Sequence, residues 1–136
     1  MKPLIPYLFF NKNCREAINF YQQCFGGELQ LCTYADAPEL PSDKNVDKND
    51  IMHAFLKNES FSLMASDWPG NEAKEGNNVQ LSIDGESKEQ LDTLFNKLAQ
   101  GGKITQPLEN TFWGAYFGML IDKFGIHWML NFDLKK

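Results

Sequence analysis

The chain has 136 residues, 43% of them apolar and 13% aromatic, with a net charge of −5 at pH 7. That length suits one domain with a core of its own. The dispersed acidity disfavours nucleic acid and anionic membrane as partners, and no apolar run approaches the ~18 residues of a transmembrane helix.

Met1-Lys2-Pro3 leads directly into a strand pattern, without the apolar region or cleavage site of a secretory leader. Leu4–Phe10 reads as a buried strand, with Pro3 and Pro6 near its start, where proline is tolerated. Asn13-Cys14-Arg15-Glu16 has capping-box spacing. The helix that follows places Cys14, Ala17, Ile18, Tyr21, Cys24 and Phe25 on one face, at i, i+3, i+4, i+7. Gly26-Gly27 ends it, and Glu28–Tyr34 resumes as a strand. Cys14, Cys24 and Cys32 form no CxxC pair and leave an odd count. Cys14 and Cys24 read as core packing, and a reducing, cytoplasmic setting is expected.

Ala35–Asp50 reads as a solvated, mobile loop. Its alternating Asp43, Asn45, Asp47 and Asn49 imitate a calcium loop. Lys48 stands where that loop needs glycine, and Ala54 where it needs a bidentate glutamate. Ile51–Leu56 and Phe61–Ser66 form a hairpin pattern, and Asp67–Asn77 is a loop carrying Trp68. Asn78–Ile83 reads as a strand. Ser87-Lys88-Glu89-Gln90 repeats the capping-box spacing, and Leu91, Leu94, Phe95 and Leu98 form a helix face. Gly101-Gly102 ends that helix. Lys103–Leu108 follows as a strand, and Trp113–Ile121 with Ile126–Phe132 as a last hairpin.

Cys24-Phe25-Gly26-Gly27-Glu28-Leu29 thus returns, 75 positions later, as Ala99-Gln100-Gly101-Gly102-Lys103-Ile104. Each glycine pair closes an amphipathic helix and opens a strand. The chain reads as a single domain, 1–136, built from one βαβββ unit used twice, over 1–68 and 77–136. Toward the end of each unit the offset falls to about 66 (Phe61–Asp67 against His127–Asp133), so that Leu63 and Met129 become partners.

A duplicated βαβββ unit of this size resembles the vicinal oxygen chelate superfamily. That group includes glyoxalase I, extradiol dioxygenases, and fosfomycin and bleomycin resistance proteins. Several segments resemble its PhnB-like branch. They are Pro6-Tyr7-Leu8-Phe9-Phe10 with Ala17-Ile18-Asn19-Phe20-Tyr21, Phe25-Gly26-Gly27-Glu28-Leu29, Leu63-Met64-Ala65-Ser66-Asp67, Thr111-Phe112-Trp113-Gly114, and Phe117-Gly118-Met119 with Asp122-Lys123-Phe124-Gly125-Ile126-His127-Trp128. The resemblance implies an α+β fold in which two units form an incomplete barrel around a cleft, and a homodimer. Some members of this branch bear a demethylubiquinone methyltransferase name. The sequence has no glycine-rich strand-to-helix turn for a nucleotide cofactor and no alternating parallel α/β run.

In the metal-using relatives, His, Gln or Glu from the first and last strand of each unit converge on a divalent ion. Here those positions fall near Pro6 or Tyr7, at Leu63 (Met64 if the alignment slips), at Asn78 and at Met129. One amide among apolar residues does not hold such an ion, so no metal and no cofactor are expected.

What remains is a cleft that binds. The only histidines are His53 and His127, each on a strand, and either can serve as an acid or base beside a carboxylate. Tyr7, Phe9, Trp68, Trp113 and Tyr116 fall where the resemblance places the cleft, and such rings stack on flat or cationic ligands. Asn78, Gln80 and Ser82 alternate and share one face of their strand. The expected ligand-binding set is Tyr7, Phe9, His53, Trp68, Asn78, Gln80, Trp113 and Tyr116, with His53 and Asp67 as acid–base candidates. The leading expectation is metal-free binding of a small aromatic or amphiphilic molecule. The alternatives are an enzyme acting on a small carbonyl or phosphonate-related metabolite, and an antibiotic-sequestering protein.

Overall fold

The computed structural model describes residues 1–40 and 45–134, which divide into two compact units, Met1–Lys74 and Glu75–Lys136. In the first unit, β1 (Tyr7–Phe10), α1 (Cys14–Phe25), β2 (Glu28–Thr33), β3 (Ile51–Lys57) and β4 (Ser62–Asp67) follow one another, with a 3-10 turn at Tyr34–Asp36. In the second, β5 (Leu81–Asp84), α2 (Lys88–Ala99), β6 (Lys103–Asn110), β7 (Ala115–Ile121) and β8 (His127–Asp133) repeat the order. Each unit is an open four-stranded sheet, ordered β1-β4-β3-β2 in one and β5-β8-β7-β6 in the other. The first and last strands of a unit pair parallel, and the remaining pairs are antiparallel. None of the described helices is long and apolar enough to cross a membrane.

Each helix packs one apolar stripe on its own sheet. Ala17, Ile18 and Tyr21 of α1 are buried, as are Ala54, Leu56, Leu63 and Ala65 of β3 and β4. Leu91, Phe95 and Leu98 of α2 are buried likewise, with Leu120, Trp128 and Leu130 of β7 and β8. Burying such side chains is worth about 1.5–3 kcal/mol each and is the main stabilising term of the unit.

The helix starts differ from one another. Ser87 caps α2 as its spacing predicts, accepting from the Gln90 N–H at 3.0 Å. The Gln90 side-chain oxygen, Oε1, accepts from the Glu86 N–H, one residue before the cap. Asn13 makes no side-chain cap bond. Asp67, 53 residues away, accepts from the Cys14 N–H at 2.9 Å instead. The sequence marks the helix start, but its cap is tertiary.

Strands β1 and β5 are shorter than expected. Pro3 and Pro6 cannot donate to a ladder, and β1 begins only at Tyr7. Asn77 and Asn78, turn-forming residues, precede β5, which begins at Leu81. Asn78 and Gln80 therefore lie outside the strand, and of the expected polar stripe only Ser82 remains on it. Of the calcium-like run, Asp43 lies outside the described residues. Asp47 forms an ion pair with Lys12 at 3.2 Å, and Asp50 accepts from the same ammonium at 2.8 Å.

The offset between the last strands also needs correction. Tyr7 lies beside Met64, and Ser82 beside Met129. Met64 and Met129 therefore correspond, at an offset of 65 (from 64 to 129) and not 66. Leu63 is a core residue whose counterpart is Trp128, and both are buried.

The glycine pairs are explained by two separate demands. Gly26 and Gly101 adopt φ of 73°, a left-handed conformation that costs a residue with Cβ about 1–2 kcal/mol. A Cβ on Gly27 would lie 2.5 Å from the Lys57 carbonyl oxygen. One on Gly102 would meet the Ile121 carbonyl oxygen. Lys57 and Ile121 end β3 and β7, the same position in each unit.

Gly26→Ala is expected to lower the unfolding free energy by about 1 kcal/mol, because nothing lies within 4 Å of the new methyl and only φ is strained. Gly27→Ala combines φ of 107° with the backbone clash and should lose at least ~2 kcal/mol. Urea titrations of the two variants measure the difference, and equal losses would contradict the close-approach explanation.

Candidate functional site

Strand alternation divides the sheet of the first unit into two faces. Leu63, Ala65 and Asp67 of β4 share the α1 side, because Asp67 reaches the first amide of α1. Ser62, Met64 and Ser66 therefore face the other way. The register carries this across the sheet: Tyr7 lies beside Met64, Phe9 beside Ser66, and Phe55 beside Met64. His53, two residues from Phe55, joins the same face, and its β2 neighbour is Cys32.

This face, turned away from α1, carries a continuous run of rings. Tyr7 Oη lies 3.2 Å from His53 Nδ1, and the two share one hydrogen bond. Their ring centroids are 5.7 Å apart. Tyr7 and Phe9 follow at 4.9 Å, and Phe9 meets Trp68 edge-on at 4.6 Å. Tyr7, Phe9 and Trp68 are 38%, 44% and 40% exposed. Large rings held in mutual contact yet left half in water form an apolar surface suited to a ligand.

The surrounding structure positions these rings. The Trp68 N–H donates to the Phe10 carbonyl at 2.7 Å, which fixes Trp68 at the end of β1. A turn follows, in which the Asn71 N–H donates to the Trp68 carbonyl at 3.0 Å. Asn11 closes the segment from the other side. Its amide donates to the Ala73 carbonyl and accepts from the Ala73 N–H, both at 2.9 Å. Tyr34 adds a second phenol nearby. Burial, then the charges of Asp50, Tyr7 and Asp67, push it above its ordinary pKa.

Asp67 has a different place from the one expected at a pocket rim. It is buried, and its second oxygen accepts from the Ile51 N–H at 2.8 Å. Each of its oxygens thus holds a backbone amide, one opening α1 and one opening β3. The acid–base candidate on this face is therefore His53.

The other expected site residues belong to the second unit. Tyr116 faces α2, where its hydroxyl donates to Asp92 at 2.5 Å and Lys88 Nζ lies 4.8 Å from its ring centroid. It is on the helix side of its sheet and leaves the ligand-binding set. Trp113 lies in the turn before β7, half exposed, against Phe112 and Phe117 at 5.1 and 6.2 Å. Asn78 is exposed and Gln80 half-buried, both before β5. The face of the second sheet away from α2 carries Ser82 and Met129 side by side, with Asp84 accepting from the Asn131 amide at 3.2 Å. His127 starts β8 opposite Ile121.

Sequence reasoning missed Asn11 and Tyr34, and named Met64 only as the alternative to Leu63. Asn11 acts on a partner 62 residues away, and nothing local in the sequence marks it.

The metal implied by the superfamily resemblance needs hard donors at the paired first- and last-strand positions. Tyr7, Met64, Ser82 and Met129 occupy the paired first- and last-strand positions. Thioethers, a phenol and a hydroxyl do not make a hard divalent-cation site. Among the described residues no group of three or more His, Cys, Asp or Glu is arranged to hold an ion. These residues do not fit a catalytic divalent metal.

A family model described as 3-demethylubiquinone-9 3-methyltransferase matches residues 2–131. Protein YjdN of Escherichia coli (strain K12) is 33% identical, over 95% of this chain and 94% of that protein. The crystal structure of protein PA1353 from Pseudomonas aeruginosa superposes with a TM-score of 0.86 at 41% identity, covering 98% of each chain. A putative 3-demethylubiquinone-9 3-methyltransferase, PhnB protein, from Bacillus cereus gives 0.79 at 27% identity, over 96% of this chain and 99% of that one. A glyoxalase/bleomycin resistance protein/dioxygenase family enzyme from Burkholderia phytofirmans PsJN, 18% identical with a TM-score of 0.64, covers 96% and 97% and shares the fold.

Asp67→Asn tests the assignment of Asp67 to the framework. An amide can accept from only one of the two N–H groups and turns a donor toward the other. The variant should lose about 1–3 kcal/mol of stability in chemical denaturation. An unchanged midpoint would return Asp67 to the list of candidate reacting groups.

Proposed function

The chain belongs to the 3-demethylubiquinone-9 3-methyltransferase family, the PhnB-like branch of the glyoxalase/bleomycin resistance/dioxygenase superfamily, and from that premise we propose that it binds a small aromatic or amphiphilic molecule on the open face of its first sheet. The observation that carries this reading is the unbroken contact of His53, Tyr7, Phe9 and Trp68, half exposed on one face. Stacking of a flat ligand on these rings supplies the affinity, and the Tyr7–His53 bond supplies the polar end that orients it. The working form is a homodimer in the cytoplasm. Cys14, Cys24 and Cys32 form no disulfide, which suits a reducing compartment.

The family's description implies a methyl donor. A nucleotide-bearing donor is commonly held by open amides at the start of a helix that follows a strand. Here Asp67 occupies the first amide of α1, and Ser87 occupies the Gln90 amide of α2. These helix starts do not fit such a donor, and no methyl transfer is derived from them.

Titration with N-phenyl-1-naphthylamine, an uncharged aromatic whose emission rises in apolar surroundings, tests the reading. Saturable binding with one site per chain is expected. Phe9→Ala and Trp68→Ala should each weaken it about ten-fold through loss of stacking. Unsaturable emission, or affinity unchanged in both variants, would refute the site.

A further inference from the structure

The Tyr7–His53 couple specifies more than an apolar surface. Among the described residues, Tyr7 Oη and the His53 ring nitrogens have no hydrogen-bond partner other than each other. One hydrogen is used inside the couple. If Tyr7 donates to Nδ1, the imidazole N–H at Nε2 is left to donate, and Tyr7 Oη keeps lone pairs to accept. If Nδ1–H donates to Tyr7 Oη, the phenol O–H is left to donate, and Nε2 is left to accept. In either tautomer the neutral couple presents one donor and acceptor capacity together. Its complement is a group that both accepts and donates, as a hydroxyl does.

Charge narrows the ligand further. The residues beside the couple on this face are Phe9, Phe55, Met64, Ser66 and Cys32, and the charge that acts on Cys32 is the Asp36 carboxylate, an anion. Lys12 is held by Asp47 and Asp50. The cation lying along β3 on the same face is Lys57, beyond Phe55 and opposite Glu28. Among the described residues no lysine or arginine pairs with this face beside the couple, so a carboxylate, sulfonate or phosphate brought onto the rings would lose hydration with only the His53 imidazole to meet it, which is unfavourable. A neutral hydroxyl loses little and regains both of its bonds.

We infer that the ligand class is a planar aromatic that bears a hydroxyl group and no anionic group, a phenol, with its ring on Phe9 and Tyr7 and its hydroxyl on the Tyr7–His53 couple. This deepens the binding reading above and rests on it. The hydroxyl is recognised as donor and acceptor at once, so capping it by methylation should be penalised although the ring is unchanged.

Equilibrium dialysis of the full chain with 2-naphthol and with 2-methoxynaphthalene tests the inference, because the two differ only at that group. Wild type should bind 2-naphthol about ten-fold tighter, the worth of one well-placed hydrogen bond. Tyr7→Phe and His53→Asn, each checked for native near-ultraviolet circular dichroism, should bring the ratio of the two affinities toward one, whatever each does to the affinity for 2-methoxynaphthalene alone. Equal binding of both compounds by wild type, lost in Phe9→Ala, would overturn the phenol assignment and leave the aromatic site standing. A preference for 2-naphthol that persists in both variants would overturn the role of the couple. Binding of neither compound would overturn the inference together with the binding reading.

Discussion

The structure depends on one close approach made twice: a glycine Cα passing against the last carbonyl of the third strand in its unit. Gly27 meets Lys57 in this way, and Gly102 meets Ile121. The preceding glycine, at φ of 73° in both units, turns the chain out of the helix. The following glycine lets it enter the second strand without a side chain between the two backbones. That contact fixes where β2 starts against β3, with Glu28 opposite Lys57. From there the register runs through β3 and β4 to β1. A side chain on Gly27 would shift the start of β2, and a one-residue slip reverses which face every side chain takes.

Register is also what assembles the site. Tyr7 and Phe9 lie on the open face because β1 pairs parallel with β4 at Met64 and Ser66. His53 reaches Tyr7 because the antiparallel β3–β4 ladder puts Phe55 beside Met64 and His53 one step further along. Asp67 stabilises the opposite side of the same sheet by joining the first amides of α1 and β3. Its neighbour Trp68 is thereby placed at the end of β1. Framework and site are adjacent residues on one strand end, pointing opposite ways.

The sequence makes the order of elements legible because each signal is local. Helix periodicity, paired glycines and strand runs identify two βαβββ units without reference to distant residues. Tyr7, Phe9 and Trp68 are named through the family resemblance, which places them around a cleft, and His53 as one of two histidines; their mutual contact on the first unit is read from the structure. What failed was nonlocal or a matter of one residue. Asn13 has the spacing of a cap, yet a carboxylate from β4 takes the amide. Tyr116 has the character of a ligand-binding ring. Which side of β7 it occupies is settled by its bond to Asp92 on α2. Asn78 and Gln80 alternate as a strand would, but lie before the ladder begins.

The shift in offset from 66 to 65 carries the last consequence. It moves Leu63 into the core and puts Met64 and Met129 at corresponding places, beside Tyr7 and Ser82. A side chain that supplies a hard oxygen or nitrogen there could make a cation site of this fold. Methionine supplies a soft thioether and flexible apolar volume. On the first sheet, Met64 lies between Tyr7 and Phe55 and continues the apolar face. On the second, Ser82 and the Asp84–Asn131 bond stand where the first has Tyr7 and Phe9 beside Met64 and Ser66. The duplicated unit therefore keeps one backbone plan and carries two unlike surfaces. Among the described residues, the first joins stacked rings to a polar couple and the second does not. What the first face offers is ring contact together with the one hydrogen bond between Tyr7 and His53.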